Sequence, residues 1–153
     1  MGDENNAPDV TRYDYPLSTE RPDLLCAKNK THFTDITMKN LRDGKLADDD
    51  LRISGRALLM QAKIAESSGR SQLGANFRRA AEMVNLDDEK LLYFYNKMRP
   101  SSPDKDEMIK MIRFLQENNA PLCAELVREA VGEYERRNLF KKAAPADHGN
   151  KTS

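Results

Sequence analysis

The chain has 153 residues, 25 of them basic and 25 acidic, a formal net charge of zero, and no tryptophan. That length suits one compact domain, and the charge balance argues against a nucleic acid as partner, because binders of polyanions carry a basic excess. With 33% charged residues against 39% hydrophobic, the chain has little apolar surface for a large core, so a partner is expected to complete its burial.

Residues 1–12 and 141–153 are rich in Asp, Asn, Lys, Ala and Pro, hold almost nothing large enough to bury, and read as disordered tails. Residues 13–36 read as an extended, irregular arm: Pro16 and Pro22 interrupt any helix, and no alternation suggests a strand. Tyr13, Tyr15 and Leu17 lie on this arm. They either pack on the chain's own helices or dock on another subunit, which makes them the candidate subunit interface.

Residues 37–140 read as a helical domain of about five or six helices. Thr37 is placed to cap a short helix ending at Gly44, and Ser54 a longer one that stops at Gly69. In the longer helix Leu58, Ala62 and Ala65 share a face that Met60 and Ile64 widen, while Arg56, Lys63 and Glu66 form the polar strip. So broad an arc predicts contact on two sides, one with the domain's own core and one with a partner.

From Ser71 to Asn85 the stripe Leu73, Phe77, Ala80, Val84 predicts a helix with Phe77 in the core. Asp87 opens the next helix, with Leu91, Phe94, Tyr95 and Met98 on its face and an end near Arg99, because Pro100 cannot continue it cheaply. Ser102 and Pro103, followed by Asp104, Asp106 and Glu107, signal another helix start, after which Met108, Met111, Ile112 and Leu115 share a face. Pro121 starts the last helix, with Cys123, Leu126, Ala130 and Tyr134 inward and Arg136, Arg137, Lys141 and Lys142 near its carboxyl end. No stretch alternates as a sheet strand would, and no repeat is visible, so the fold class is all-α.

Chemistry is not visible in the pattern. The two histidines, His32 and His148, fall in the arm and a tail, and two cysteines with two histidines at no ligand spacing give a zinc site no support. Asp48-Asp49-Asp50 reads as a solvated run at a helix start, since consecutive carboxylates point in different directions and a calcium loop alternates them. Cys26 and Cys123 are expected as free thiols in a reducing compartment. No glycine-rich phosphate motif is present. Arg78-Arg79 and Arg136-Arg137 are the best basic pairs, but Glu82, Glu133 and Glu135 flank them. The methionines at 60, 83, 98, 108 and 111 fall on or beside apolar faces, where they fill core gaps. No apolar run approaches the ~18 residues of a membrane span, and the amino terminus lacks the basic and apolar stretches of a secretory signal, so a cytosolic location is expected. No catalytic, cofactor-binding or metal-ligating residue is identified, and the residues alone describe a helical interaction protein. A free-standing adaptor and a small DNA-binding regulator are the competing readings.

Several stretches nonetheless resemble the small subunit of diol dehydratase and glycerol dehydratase. They are Tyr15-Pro16-Leu17, Thr34-Asp35-Ile36-Thr37, Leu51-Arg52-Ile53, Gln61-Ala62-Lys63-Ile64-Ala65 with Gly69-Arg70, Asn76-Phe77-Arg78-Arg79-Ala80-Ala81-Glu82, Tyr95-Asn96-Lys97-Met98-Arg99-Pro100 and Val127-Arg128-Glu129-Ala130. They keep the family's order and spacing from about Tyr13 to Arg137. The resemblance implies a bacterial cytoplasmic complex with two copies each of a large, a medium and a small chain. It also implies that adenosylcobalamin is bound by the large and medium chains, not by this one. The radical chemistry, which converts propane-1,2-diol to propanal or glycerol to 3-hydroxypropanal with loss of water, would then lie in the large chain. Relatives that enter bacterial microcompartments often carry an amphipathic helix ahead of the Tyr-Pro-Leu stretch. Met1 to Arg12 does not have that pattern, so encapsulation through this chain is not expected. Ser101-Ser102-Pro103-Asp104-Lys105 also departs from the family's usual loop.

Overall fold

A computed structural model describes residues 7–98 and 104–140. Seven α-helices follow one another: α1 (Leu17–Glu20), α2 (Met38–Arg42), α3 (Gly55–Ser67), α4 (Ser71–Met83), α5 (Asp88–Met98), α6 (Lys105–Glu117) and α7 (Pro121–Arg136). Among the described residues there is no strand, only isolated bridges pairing Cys26 with His32 and Ala27 with Ile53. The all-α reading holds.

Local chemistry sets the helix ends. The Thr37 hydroxyl accepts from the Asn40 N–H at 3.1 Å, the Ser54 hydroxyl from the Ala57 N–H at 3.2 Å, and the Asp87 carboxylate from the Lys90 N–H at 2.8 Å, each satisfying a donor that the first helical turn leaves free. Gly44 and Gly69 take φ of 68° and 76°, the left-handed conformation that ends α2 and α3 at little steric cost. The cap of α6 is Asp104, which accepts from the Asp106 and Glu107 N–H groups. The expected cap Ser102, with Pro103, lies outside the described residues, as do the expected α5 end at Arg99 and the tail 141–153.

Helix α3 organises the amino-terminal half. Its buried residues span about 200° at 100° per residue, too wide for one neighbour. One face, Ala57, Met60 and Ile64, packs with Ala7, Val10 and Leu17, and with Leu24 and Leu25 at the margin. The other, Gly55, Leu58, Ala62 and Glu66 at i, i+3, i+7 and i+11, turns toward α4. The expected two-sided contact is present, but the second cover is the chain's own amino-terminal segment and not a partner.

Two expectations fail here for one reason. The segment 7–12 is no loose tail, because Val10 is only 2% exposed and Ala7 is buried beside it. Lys63 Nζ donates to the carbonyls of Ala7 and Pro8 at 2.9 and 3.0 Å, and the Arg12 N–H donates to Ser67 Oγ at 2.7 Å. Beyond it the arm is irregular but not extended: Pro16 and Pro22 open single helical turns at Leu17–Glu20 and Pro22–Leu24, where a fixed φ and a missing N–H suit a first turn. Two small apolar side chains sufficed because α3 already offered the surface to meet them.

The packed face of α4 is displaced by one residue from the expected stripe. Gly74, Arg78, Ala81 and Asn85 repeat the same i, i+4, i+7, i+11 spacing one position later, and this set meets α3. A Cβ on Gly74 would lie 2.6 Å from Glu66 Cγ, and one on Gly55 would lie 3.3 Å from the Ala81 carbonyl. The helices therefore approach where side chains are smallest. The guanidinium of Arg78 clasps the Glu66 carboxylate through Nε at 2.8 Å and through a terminal nitrogen at 2.7 Å. This pair holds the Glu66 carboxyl below its ordinary range, chiefly through the Arg78 hydrogen bonds. Phe77 sits beside the contact and is half-buried, while Leu73 is exposed.

A second core joins α5, α6 and α7 through Phe94, Met108, Met111, Leu115, Cys123, Ala124 and Val127. Met108, Met111 and Leu115 are inward as expected. Tyr95 and Leu126 are not: both are about half exposed, because the buried line of α7 runs through Cys123, Ala124 and Val127 and that of α5 through Phe94. The Glu82 carboxylate of α4 ties this core to the first by accepting from the Leu122 and Cys123 N–H groups at 3.0 and 2.8 Å, capping a helix whose own cap position, Ala120, offers no side-chain acceptor.

Met60, fully enclosed between α3 and the amino-terminal segment, should be the costlier truncation. Met60→Ala is expected to lose about 2–5 kcal/mol and Phe77→Ala about 1–2 kcal/mol, because Phe77 keeps part of its surface in water. Urea unfolding of both variants against the parent checks the order; equal losses would place Phe77 in the core.

Candidate subunit interface

Of the three arm residues singled out by the sequence, the structure separates Leu17 from the other two. Leu17 is 6% exposed and belongs to the core under α3, so it is not available as a contact. Tyr13 and Tyr15 are 77% and 70% exposed. The Arg12 guanidinium lies 4.8 Å from the Tyr13 ring centre and donates to its hydroxyl at 2.7 Å, while Asp14 folds back on the Thr11 N–H at 2.8 Å and on Arg21 at 3.3 Å. The Thr11 amide and then Arg21 hold the Asp14 carboxyl below its usual range. A turn anchored on both sides thus presents two aromatic rings to solvent, at sites where burying them would release apolar area.

Sequence reasoning missed a larger feature. A groove of about 480 Å³ opens between the start of α3, the end of α4 and the start of α5. Ile53, Leu58, Ala80, Met83, Val84 and Leu91 line it, and Arg52 and Asp88 close one rim with an ion pair at 3.1 Å. Lys28 Nζ donates to the Val84 carbonyl at 3.3 Å. On α5, Asp88, Leu91, Leu92 and Tyr95 occupy i, i+3, i+4 and i+7, so Leu92 and Tyr95, 60% and 58% exposed, share a helix face with the groove-lining Asp88 and Leu91. The signal was the run Leu91-Leu92-Tyr93-Phe94-Tyr95, since five consecutive apolar residues cannot all face the same core from one helix.

The wall carrying Ile53 is held by Asp50. Its carboxylate accepts from the Ala47 N–H at 2.7 Å, the Asn29 amide and the Thr31 hydroxyl. Asp50 is thus buried and spent on the loop, not solvated as expected for the whole acidic run; Asp48 and Asp49 do stay exposed. The Thr31 hydroxyl, the Ala47 amide and the Asn29 amide hold its carboxyl below the ordinary value of 3.8. Beside it, the Ser54 hydroxyl caps α3 and donates to the Cys26 carbonyl at 2.9 Å, fastening the arm to the same wall.

Several other polar groups are engaged, although among the described residues Arg56 Nε is buried without a hydrogen-bond partner. Arg78 is held by Glu66, and Arg136 and Arg137 both reach Glu133, at 2.6 and 3.2 Å, while Arg79 bonds the Asn76 side-chain oxygen. Both cysteines are free, and burial, with the Glu82 carboxylate adding to it, pushes the Cys123 thiol up to about 12. His32 is exposed, and His148 lies outside the described residues. Among the described residues no three His, Cys, Asp or Glu side chains cluster as metal ligands, and no helix is long and apolar enough to cross a membrane. The groove has the size of a site for a small ligand and cannot enclose a corrinoid with its nucleotide and adenosyl groups, so these residues do not fit that cofactor.

Comparison with known proteins gives a consistent result. A family profile described as dehydratase small subunit matches residues 10–141. The propanediol dehydratase small subunit of Salmonella typhimurium is 38% identical over 130 residues, which cover 84% of this chain and 75% of that protein. The propanediol dehydratase small subunit of Citrobacter freundii is similar to the same extent, 38% identical over 130 residues.

Two measurements probe this region. The depressed folded-state value of Asp50 means that its contribution is present above pH 3.8 and is lost as pH falls through the lower folded value. Asp50→Asn should therefore destabilise at pH 7 and flatten the loss of stability below pH 4, read by urea unfolding; an unchanged acid limb would dissociate Asp50 from the loop. Thiol labelling of the native chain near pH 8 should leave Cys123 unmodified until denaturant is added, since almost none of it is thiolate there.

Proposed function

Because this chain belongs to the dehydratase small-subunit family, we propose that it is the small subunit of an adenosylcobalamin-dependent diol dehydratase acting on propane-1,2-diol, with other dehydratase subunits as its partners. The family match over residues 10–141, nearly the whole described fold, carries the reading. The names of the two relatives favour propane-1,2-diol over glycerol as substrate, with propanal and water as products. The cofactor and the chemistry belong to the large and medium chains, present in two copies each with the small chain. This chain's polar groups support that division: Glu82 caps a helix, Asp50 closes a loop, and Glu66 and Arg78 pair with one another, so each is engaged in holding the fold.

Its role is assembly, and Tyr13 and Tyr15 are the arm's contacts. Their rings are held outward by a turn already ordered through Val10 and Leu17, so docking them orders little further backbone. A bacterial cytoplasmic location follows from the same reading.

The test is co-expression with the large and medium chains, gel filtration, and an aldehyde assay normalised to assembled complex. The purified small chain should yield no aldehyde with propane-1,2-diol and adenosylcobalamin, whereas the assembled complex should. Tyr13→Ala with Tyr15→Ala should lower recovery of complex while leaving the melting of the free chain, and turnover per surviving complex, near normal. Recovery of an unrelated protein or of nucleic acid in place of the dehydratase chains would reject the reading.

A further inference from the structure

The amino-terminal segment, residues 7–17, is fastened to the fold differently from the rest of the arm. From Leu25 onward the arm is stitched in place by backbone bonds: the Phe33 N–H donates to the Leu25 carbonyl at 3.1 Å, the Ala27 N–H to Thr31 at 2.8 Å and the Lys28 N–H to Arg52 at 3.0 Å. The Ser54 hydroxyl adds a bond to the Cys26 carbonyl. Among the described residues, no backbone–backbone hydrogen bond runs from residues 7–17 to α3 or to any element after it. The polar ties of the segment to α3 come instead from two side chains one turn apart. Lys63 Nζ donates to the Ala7 and Pro8 carbonyls at 2.9 and 3.0 Å and lies 3.8 Å from the Asp9 carboxylate, and Ser67 Oγ accepts from the Arg12 N–H at 2.7 Å. Ala7, Val10 and Leu17 supply the buried apolar contacts, and no residue from Thr11 to Pro16 is buried.

We infer that residues 7–17 form a strap that opens and closes over α3 as a unit of its own, and that Lys63 is its clamp. This device lies within the chain and does not depend on the function proposed above.

A local opening costs only the contacts it breaks. Lifting the strap breaks the three hydrogen bonds from Lys63 and to Ser67 and uncovers the Ala57, Met60 and Ile64 face. It also returns backbone freedom to the whole segment, which offsets part of that loss. The Glu66–Arg78 clasp, the close approach at Gly55 and Gly74, and the packing of α5, α6 and α7 involve no strap residue and survive the opening. The open form is therefore a minor, local state, reached at less cost than unfolding the helices. The strap stays tethered in it, because the arm from Leu25 onward keeps its own backbone bonds.

Lys63 is the group on which closure turns. Its ammonium makes charge-assisted bonds to two carbonyls, and such bonds are stronger than the neutral one between Arg12 and Ser67. Those carbonyls also lie at the end of the strap farthest from the Cys26 anchor, so their release frees it from that end. Closure sets two things: Met60 is shielded only while the strap is down, and Tyr13 and Tyr15 keep a fixed pose only while Val10 and Leu17 are seated.

The experiment uses the full-length chain. In the parent, the Arg12 amide should exchange faster than the α4 amides from Arg78 to Ala81, with a weaker dependence on urea, since opening the strap exposes less surface than unfolding does. Lys63→Met keeps an aliphatic stem and removes the donor. It should retain the parent's helical signal while speeding exchange of the Arg12 amide, and peroxide oxidation of Met60, by about tenfold, the loss expected of a charged hydrogen bond partly screened by water. Exchange from Arg78 to Ala81, and oxidation of Met111 in the other core, should keep the parent's rates. Lys63→Arg should return Arg12 and Met60 toward those rates. Arg12 exchange that matches α4 in rate and urea dependence overturns the strap as a separate unit. So does a Lys63→Met chain that loses its helical signal or exchanges as much faster in α4 as at Arg12. Unchanged exchange and oxidation in Lys63→Met, or no recovery in Lys63→Arg, overturns the clamp.

Discussion

Helix α3 carries apolar side chains around more than half of its circumference, and no single helix can cover an arc that wide. The chain meets the demand with α4 on one side and its own amino-terminal segment on the other. Met60 lies where the second cover closes, fully removed from solvent, and the ordering of Ala7, Val10 and Leu17 follows from that burial. Because the segment is anchored, the turn at Arg12–Asp14 is anchored too, and Tyr13 and Tyr15 emerge from a fixed base. The exposure of these two rings is thereby built on an interaction internal to the chain.

The α3–α4 contact obeys a different rule. Gly55, Gly74, Ala62 and Ala81 bring the two helices close, and the Glu66–Arg78 clasp fits over Gly74 because no Cβ is there to obstruct it. The larger residues of α4 are then left beside the contact. Ala80, Met83 and Val84 open onto the groove, Phe77 is half-buried, and Leu73 faces water. Close approach at small residues and an unfilled apolar groove are two results of the same packing.

Several polar groups are engaged within the chain. Asp50, Ser54 and Glu82 each complete a structural joint: a loop, a helix cap with an arm latch, and the seam between two cores. Exposed apolar side chains remain on the arm turn and along α5.

The residues themselves determined the helical class and most helix starts, because capping and 3.6-residue periodicity act within one or two turns. Thr37, Ser54, Asp87 and Pro121 were legible for that reason, as were the Gly44 and Gly69 stops. The resemblance running from Tyr15 to Ala130 led to the family before any fold was known. Which face each helix buries was decided only by tertiary structure. In α4 the stripes 73/77/80/84 and 74/78/81/85 have the same spacing, and only the approach of α3 selects the second, since Gly74 and Ala81 admit a neighbour that Leu73 and Phe77 would hold off. In α5 and α7 the choice fell against Tyr95 and Leu126 in the same manner. Val10 shows the limit most clearly: a single valine in a polar stretch carries no periodic signal, and it becomes a core residue because Met60 and Ile64 stand across from it.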